Sequence, residues 1–185
     1  MTDAPDLIDR AADAALELAA DRRWTEIALR DIAKAAGVPF AELYAKAPGK
    51  AALLDRLSRR FDAAALTAGE AEEGVDAHDR LFETVMARLE AMGPQRAVLI
   101  AIARAEGPLQ LAPRLPRTAR ALLEAAGIDA GGPVGAARIT AMTAVWARVL
   151  QVWRDDEGAL NRTMAEIDRQ LKRMRGALKR VGAGF

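Results

Sequence analysis

The stretch Leu29-Arg-Asp-Ile-Ala-Lys-Ala-Ala-Gly-Val-Pro-Phe-Ala-Glu-Leu-Tyr44 decides the fold. Its first half carries four apolar residues at helical spacing, which are Leu29, Ile32, Ala33 and Ala36. Gly37 ends this short helix, because glycine best adopts the left-handed conformation that follows a helix. The next two residues form a turn, and a second helix begins at Phe40. Two short helices joined by a tight turn containing glycine predict a helix-turn-helix.

The second helix of the motif covers residues 40 to 44 or 45 and is too short to be stable alone. Packing of Leu43 must therefore hold it in place. Pro48-Gly49 interrupts the chain, and a longer helix begins near Lys50. The helix-turn-helix is thus expected within residues 29–50.

Apolar residues at spacings of three and four predict seven further helices, about nine in all. The first starts at Asp3 or Pro5 and carries Leu7, Ala11, Ala14, Ala15 and Leu18. The helix from Lys50 carries Leu53, Leu54, Leu57, Phe61 and Ala65. A Gly- and Glu-rich connection at 67–76 precedes helices at about 77–92, 94–106, 116–126, 134–154 and 159–181. The last is amphipathic, with Met164, Ile167, Leu171, Met174, Leu178 and Val181 on its apolar stripe.

The composition agrees with an all-α protein. Of the 185 residues, 51% are hydrophobic, mainly Ala and Leu, whereas aromatic residues make up 4%. The chain has no Cys, which excludes disulfides and thiolate metal sites. The acidic first residues lack the features of a signal peptide, so we expect a cytoplasmic protein.

The small net charge of +1 is unevenly distributed. Residues 3–21 are acidic, whereas residues 22–60 carry nine Arg or Lys against four Asp or Glu. Because phosphates respond to local charge, the second segment is the one suited to nucleic acid.

The opening stretch, followed by Pro48-Gly-Lys50-Ala-Ala-Leu-Leu54, resembles the DNA-binding head of the TetR family of bacterial repressors. The resemblance covers roughly residues 5–62 at the level of motifs, and the whole chain in length and helical plan. It implies a helix-turn-helix domain at 1–49 and a ligand-binding, dimerising body at 50–185. It further implies a homodimeric repressor that binds double-stranded operator DNA, with helices 135–153 and 160–181 pairing between subunits.

The predicted DNA-binding residues lie on or beside the motif; they are Arg30, Lys34, Phe40, Glu42, Tyr44, Lys46 and Lys50. The Tyr44 hydroxyl and the cations suit phosphates or bases. Glu42 departs from the family pattern, since a carboxylate is repelled by phosphates unless it accepts a hydrogen bond from cytosine N4. The same residues also fit a packed three-helix unit that does not bind DNA.

The family plan implies an apolar small-molecule or lipid effector in the body. The candidate pocket residues are Phe82, Met86, Leu89, Leu99, Ile102, Met142, Trp146, Leu150 and Trp153. The alternative is that this Met and Trp pattern is plain core. No cofactor or metal is expected, because His78 is the single histidine and suits the surface or a helix start. The sequence lacks a nucleophile with a base and a phosphate loop, so an enzyme is not expected.

A second resemblance concerns the C-terminal half. Trp153-Arg-Asp-Asp156 and Thr163-Met-Ala-Glu-Ile-Asp-Arg169 look like part of the ubiquinone-biosynthesis accessory lipid-binding proteins, which share the TetR fold. The last helix carries seven Arg or Lys against Glu166 and Asp168, so it is also suited to an anionic membrane surface. The alternative function is therefore a lipid-binding accessory protein with a vestigial DNA-binding head.

Overall fold

The computed structural model describes residues 6–68, 74–156 and 160–185. These ranges contain ten α-helices and no strand. The helices are α1 (Leu7–Asp21), α2 (Leu29–Ala35), α3 (Phe40–Lys46), α4 (Lys50–Ala68), α5 (Ala77–Met92), α6 (Arg96–Glu106), α7 (Pro108–Leu111), α8 (Leu115–Ala125), α9 (Gly132–Asp155) and α10 (Asn161–Arg180). Short 3-10 turns occupy 24–26, 93–95 and 112–114. The predicted all-α fold is confirmed.

The differences from the predicted helices are local. α6 begins at Arg96 rather than at residue 94, because Gly93–Gln95 forms a 3-10 turn. The single turn of α7 was not predicted, since four residues are too few to show a periodicity. The proposed helix starts at Asp3 or Pro5 lie outside the described residues, as does half of the predicted connection, residues 69–73.

The helices form two compact units. The first contains residues up to Arg60 together with 92–111, and therefore includes α1, α2, α3, the first part of α4, and α6 and α7. Its core is made of small and branched apolar side chains, including Ala11, Ala15, Ile27, Ile32, Leu43, Leu53 and Leu57. Alanines dominate the buried face of α1, which allows α2 and α3 to pack closely against it.

The second unit contains residues 61–91 and 112–185. Its main packing joins α8 and α10 to the long helix α9. The most buried large side chains include Leu81, Leu89, Leu122, Met142, Trp146, Ile167 and Leu171. On α10, the ends of the predicted stripe are wrong: Met164 is 40% exposed and Val181 is 71% exposed. Both side chains face outward, although residues close to them in sequence, Thr163 and Ala183, are buried.

None of the helices in the described ranges combines the length and apolarity that crossing a membrane requires.

Candidate nucleic-acid interface

Both ends of α2 are fixed by local hydrogen bonds. At its start, the backbone N–H of Ala28 donates to Asp31 Oδ2 at 3.0 Å. At its end, Gly37 has a φ of +62°, and its N–H donates to the Lys34 carbonyl at 3.2 Å. The N–H of Val38 donates to the Ala33 carbonyl at 3.0 Å, which completes a Schellman motif. The turn therefore has one defined conformation, and it sets the direction in which α3 leaves.

α3 is held from one side and open on the other. Leu43 and Ala47 are fully buried, as the sequence predicts for Leu43. The remaining side chains of the helix face outward, with Phe40 half-buried and Ala41, Glu42, Tyr44, Ala45 and Lys46 exposed. A short helix anchored by one leucine thus presents a continuous outer surface, which is the geometry that a recognition helix requires.

Three of the predicted contact residues lie together on this surface. The Arg30 guanidinium lies 4.3 Å from the centre of the Phe40 ring. The Phe40 and Tyr44 rings are 5.9 Å apart and tilted by 47°. Tyr44 is 54% exposed, so the stack holds its ring while leaving the hydroxyl available. Lys34 is also exposed.

Lys46 and Lys50 have partners within the protein. Lys46 Nζ lies 3.7 Å from Asp6 Oδ1, and both side chains are about half-exposed (54% and 48%). Lys50 Nζ donates to the Trp24 carbonyl at 2.6 Å and lies 4.4 Å from the centre of the Trp24 ring. Burial lowers the pKa of Lys50, and the Glu106 carboxylate partly offsets this. The start of α4 is therefore tied to the 3-10 turn at residues 24–26.

Trp24 is a site residue that the sequence analysis missed. Its ring is 4% exposed, and its Nε1 donates to Glu106 Oε1 at 2.6 Å. The sequence does hold one signal of its role: Trp24 is an aromatic residue just before the motif, with charged neighbours, Arg22-Arg23 and Glu26, on its two sides. Trp24 joins α4, through Lys50, to the end of α6, through Glu106.

Two ion pairs hold α4 along α1. Arg56 Nη2 and Nε bind the Asp9 carboxylate at 2.6 and 2.7 Å, and Arg60 Nη1 binds Asp13 Oδ1 at 2.6 Å. The acids are four residues apart on α1 and the arginines four apart on α4, so the pairs form successive rungs. The hydrogen bond from Arg56 lowers the pKa of Asp9. The start of α4 is thus fixed relative to α1.

The predicted pocket residues are divided between the two units. Leu99 and Ile102 belong to the first unit, and the other seven belong to the second. In the second unit Met86, Leu89, Met142, Trp146 and Trp153 are buried, while Phe82 and Leu150 are half-buried.

A buried polar cluster lies beside these apolar residues, and the sequence analysis missed it as well. Arg88 Nε donates to Asp62 Oδ1 at 2.7 Å, and their side chains are 5% and 8% exposed. Thr118 joins the pair, 3.3 Å from Arg88 Nη2 and 3.2 Å from Asp62 Oδ1. The guanidinium lies 4.7 Å from the centre of the Trp146 ring. Burial lowers the pKa of Arg88, and Asp62 opposes this.

His78 lies at the start of α5, as predicted, and is part of a charged surface groove of about 440 Å³. Its N–H donates to Asp76 Oδ1 at 2.7 Å, and its Nε2 lies 3.2 Å from Asp168 Oδ1 on α10. The residues that the structure describes include no group of three His, Cys, Asp or Glu able to hold a metal ion.

The fold and this surface define an all-helical protein with an N-terminal helix-turn-helix. Residues 12–57 match the model of the family described as "Bacterial regulatory proteins, tetR family". This N-terminal segment is therefore similar to the helix-turn-helix domains of that family.

Solved structures extend the similarity of fold to the whole chain. The TetR transcriptional regulator from Nitrosomonas europaea ATCC 19718 is 24% identical, with a TM-score of 0.71 over 92% of this chain and 98% of the other. A TetR transcriptional regulator from Rhodococcus sp. RHA1 is 19% identical, with a TM-score of 0.67 over 89% of this chain and 93% of the other. No curated protein matches the sequence significantly. The chain therefore resembles these two regulators in fold over 89–92% of its length.

Proposed function

We propose that this protein is a TetR-like transcriptional regulator that binds double-stranded operator DNA through α2 and α3. The observation that carries the proposal is the exposed outer face of α3, anchored by buried Leu43 inside the segment that matches the TetR family. The regulator acts as a cytoplasmic homodimeric repressor, and an apolar small-molecule effector in the second unit controls it.

Phosphate binding is assigned to the residues around the aromatic stack. Arg30, Lys34 and the Tyr44 hydroxyl are exposed and form the positive side of the motif. Lys50 uses one of its three N–H donors on the Trp24 carbonyl, so two remain for a phosphate. Glu42 is exposed on the same helix and opposes phosphates, so it contributes by base selection at a C·G pair.

Dimerisation is assigned to α9 rather than to the outer face of α10. The exposed side of α9 carries small uncharged residues at Ala136, Thr140 and Ala144, which permit close approach of a second helix. The outer face of α10 is strongly cationic and would repel its copy. A two-fold dimer places two recognition helices about 34 Å apart, one turn of DNA.

The lipid-binding alternative requires the apolar side of α10 to meet a membrane. Ile167, Leu171 and Leu178 are instead buried within the second unit, at 0–3% exposure. The exposed side of α10 is mainly basic, with Met164 as a large apolar exception, which favours the regulator over a helix that lies in a bilayer surface.

The test is binding to the DNA that flanks the protein's own gene, measured by fluorescence anisotropy at several salt concentrations. We expect tight binding, and the logarithm of the association constant should fall linearly with the logarithm of the salt concentration. Tyr44→Ala and Lys34→Ala should weaken it, and Lys34→Ala should reduce the salt slope by about 0.9. The matched control is Lys172→Ala, an exposed lysine on α10 paired with Asp168 at 2.7 Å. Absence of any binding, with lipid copurifying, would establish the alternative.

The dimer has its own test. Sedimentation velocity should give a dimer, and Ala144→Arg on α9 should convert it to a monomer. Ala165→Arg, at an exposed position of α10, should leave the dimer intact. The reverse pattern would move the interface to α10.

A further inference from the structure

A second groove lies in the first unit, and none of the residues that line it belongs to α3. It is formed by the end of α1, the 3-10 turn at residues 24–26 and the second half of α6, and its volume is about 430 Å³. Its floor is apolar and consists of three buried residues, Ala19 (9% exposed), Trp24 (4%) and Ile102 (3%).

Arginines supply all the charge that lines this groove. Arg22, Arg23 and Arg104 contribute to the lining, and no Asp or Glu does. Arg23 is 85% exposed and only 3.8 Å from Glu26, and Arg22 lies 3.6 Å from Asp31, so both pairs are weak. For Arg104, no ion pair or hydrogen bond is found within the described part of the chain.

Two acids near these arginines also accept hydrogen bonds from other donors. Glu106, two residues beyond Arg104, accepts a hydrogen bond from Trp24 Nε1 at 2.6 Å. Asp31 accepts one from the Ala28 N–H at 3.0 Å. The groove therefore combines a positive rim, which has capacity for an anion, with an apolar floor.

We propose that this groove binds a small organic carboxylate, with its apolar body on the floor and its carboxylate on the arginines. A guanidinium fork matches a carboxylate with two parallel hydrogen bonds, which a lysine does not offer. The volume lies within the usual range for small-molecule sites, about 300–1,000 Å³. The apolar floor distinguishes such a ligand from a bare inorganic anion, which gains nothing from Ile102 or Trp24. The site does not depend on DNA binding.

The test uses the full-length protein without DNA, titrated with benzoate, octanoate and inorganic phosphate. Binding is followed by calorimetry and by the NMR signal of the Trp24 indole N–H, which Trp24→Phe identifies by its loss. Benzoate or octanoate should shift this signal in a saturable way, and phosphate should bind far more weakly. Arg104→Gln should raise the Kd roughly tenfold, the effect of losing one charge-assisted hydrogen bond. Arg162→Gln, an exposed arginine on α10, is the control and should leave the Kd unchanged.

Three outcomes would overturn the proposal. The first is no saturable binding of either carboxylate. The second is phosphate binding as tight as benzoate, which would indicate an unspecific cluster of cations. The third is carboxylate binding that Arg104→Gln leaves unchanged in a variant whose melting temperature matches that of the wild type. A lower DNA salt slope in Arg104→Gln, without carboxylate binding, would assign the arginines to phosphates of the DNA backbone instead.

Discussion

Replacing Arg88 with methionine tests whether the buried polar cluster of the second unit holds that unit together. Met has a similar length and no charge, so Arg88→Met preserves most of the packing against Trp146. It leaves the Asp62 carboxylate, whose side chain is 8% exposed, without the guanidinium 2.7 Å away. The perturbation is therefore an uncompensated buried charge.

The magnitude follows from this burial. Removing one partner of a buried ion pair costs about 3–5 kcal/mol, because the remaining charge has lost both water and partner. Thr118 keeps its hydrogen bond to Asp62 at 3.2 Å, which places the expected loss near the lower end, about 3 kcal/mol. Replacing both charges, as in Arg88→Met with Asp62→Leu, should recover most of it, since an apolar pair of similar volume avoids the desolvation penalty.

The assay is unfolding in urea, followed by tryptophan fluorescence, because the Arg88 guanidinium lies 4.7 Å from the Trp146 ring. With a slope of about 2 kcal/mol per molar urea, the single variant should lower the midpoint by about 1.5 M. The matched control is Arg120→Met on α8, whose pair with Glu124 is 3.7 Å long and about half-exposed (54% and 49%). It should change stability by less than about 0.5 kcal/mol.

The reasoning is refuted if Arg88→Met and Arg120→Met destabilise the protein equally. It is also refuted if the double variant is less stable than Arg88→Met alone, since the cost would then come from lost packing rather than from an unpaired charge.

Three further predictions concern other parts of the molecule. Gly135→Ala should destabilise the protein by about 1–3 kcal/mol, because the new Cβ would lie 2.1 Å from the Ala130 backbone. Gly176→Ala on α10 has open space and should stabilise it by about 0.5–1 kcal/mol. Thermal unfolding compares the two variants, and a shift of the melting temperature in the same direction for both would contradict the reasoning. Asp9→Asn should cost about 1 kcal/mol near pH 7, a value discounted because the Arg56 side chain is 38% exposed. Since the folded pKa of Asp9 is lowered, this stabilisation is present above about pH 4 and lost as the pH falls through the folded pKa. A stability difference between wild type and variant that does not shrink as the pH is lowered below about 4 in urea titrations would exclude it. Trp24→Phe should cost about 1.5–3 kcal/mol by leaving Glu106 without its indole donor, and a double-mutant cycle with Glu106→Gln should show coupling.

The motif was predictable from sequence because its determinants are local. The spacing from Leu29 to Ala36 sets the buried face of α2. The helix ends where Gly37 and Val38 donate to carbonyls three and five positions earlier. Leu43 likewise lies within the same short segment that it anchors. Each of these features depends on residues that lie within about one helical turn of each other in the sequence, so a sequence pattern can reveal it.

The partners of Lys50 and Arg88 could not be predicted in the same way. Lys50 has the position expected of a DNA contact, but its ammonium binds a carbonyl 26 residues earlier in the chain. Arg88 interrupts the apolar stripe of α5, and its acidic partner is 26 residues away on α4. In both cases the contact depends on how the helices pack against each other, and the spacing of apolar residues in the sequence does not predict that packing.

The two ion pairs between α1 and α4 make part of α4 stiff. Lys50 and Arg60 are ten residues apart, so about 15 Å of helix separates them. Because Arg56 and Arg60 are both clamped to α1, that segment behaves as a stiff arm rather than a hinge. A tilt of about 5° at Arg60 would displace Lys50 by about 1.3 Å over this length. Such a displacement would break the 2.6 Å hydrogen bond from Lys50 to the Trp24 carbonyl, so the two ion pairs also protect a contact at the far end of the same helical segment.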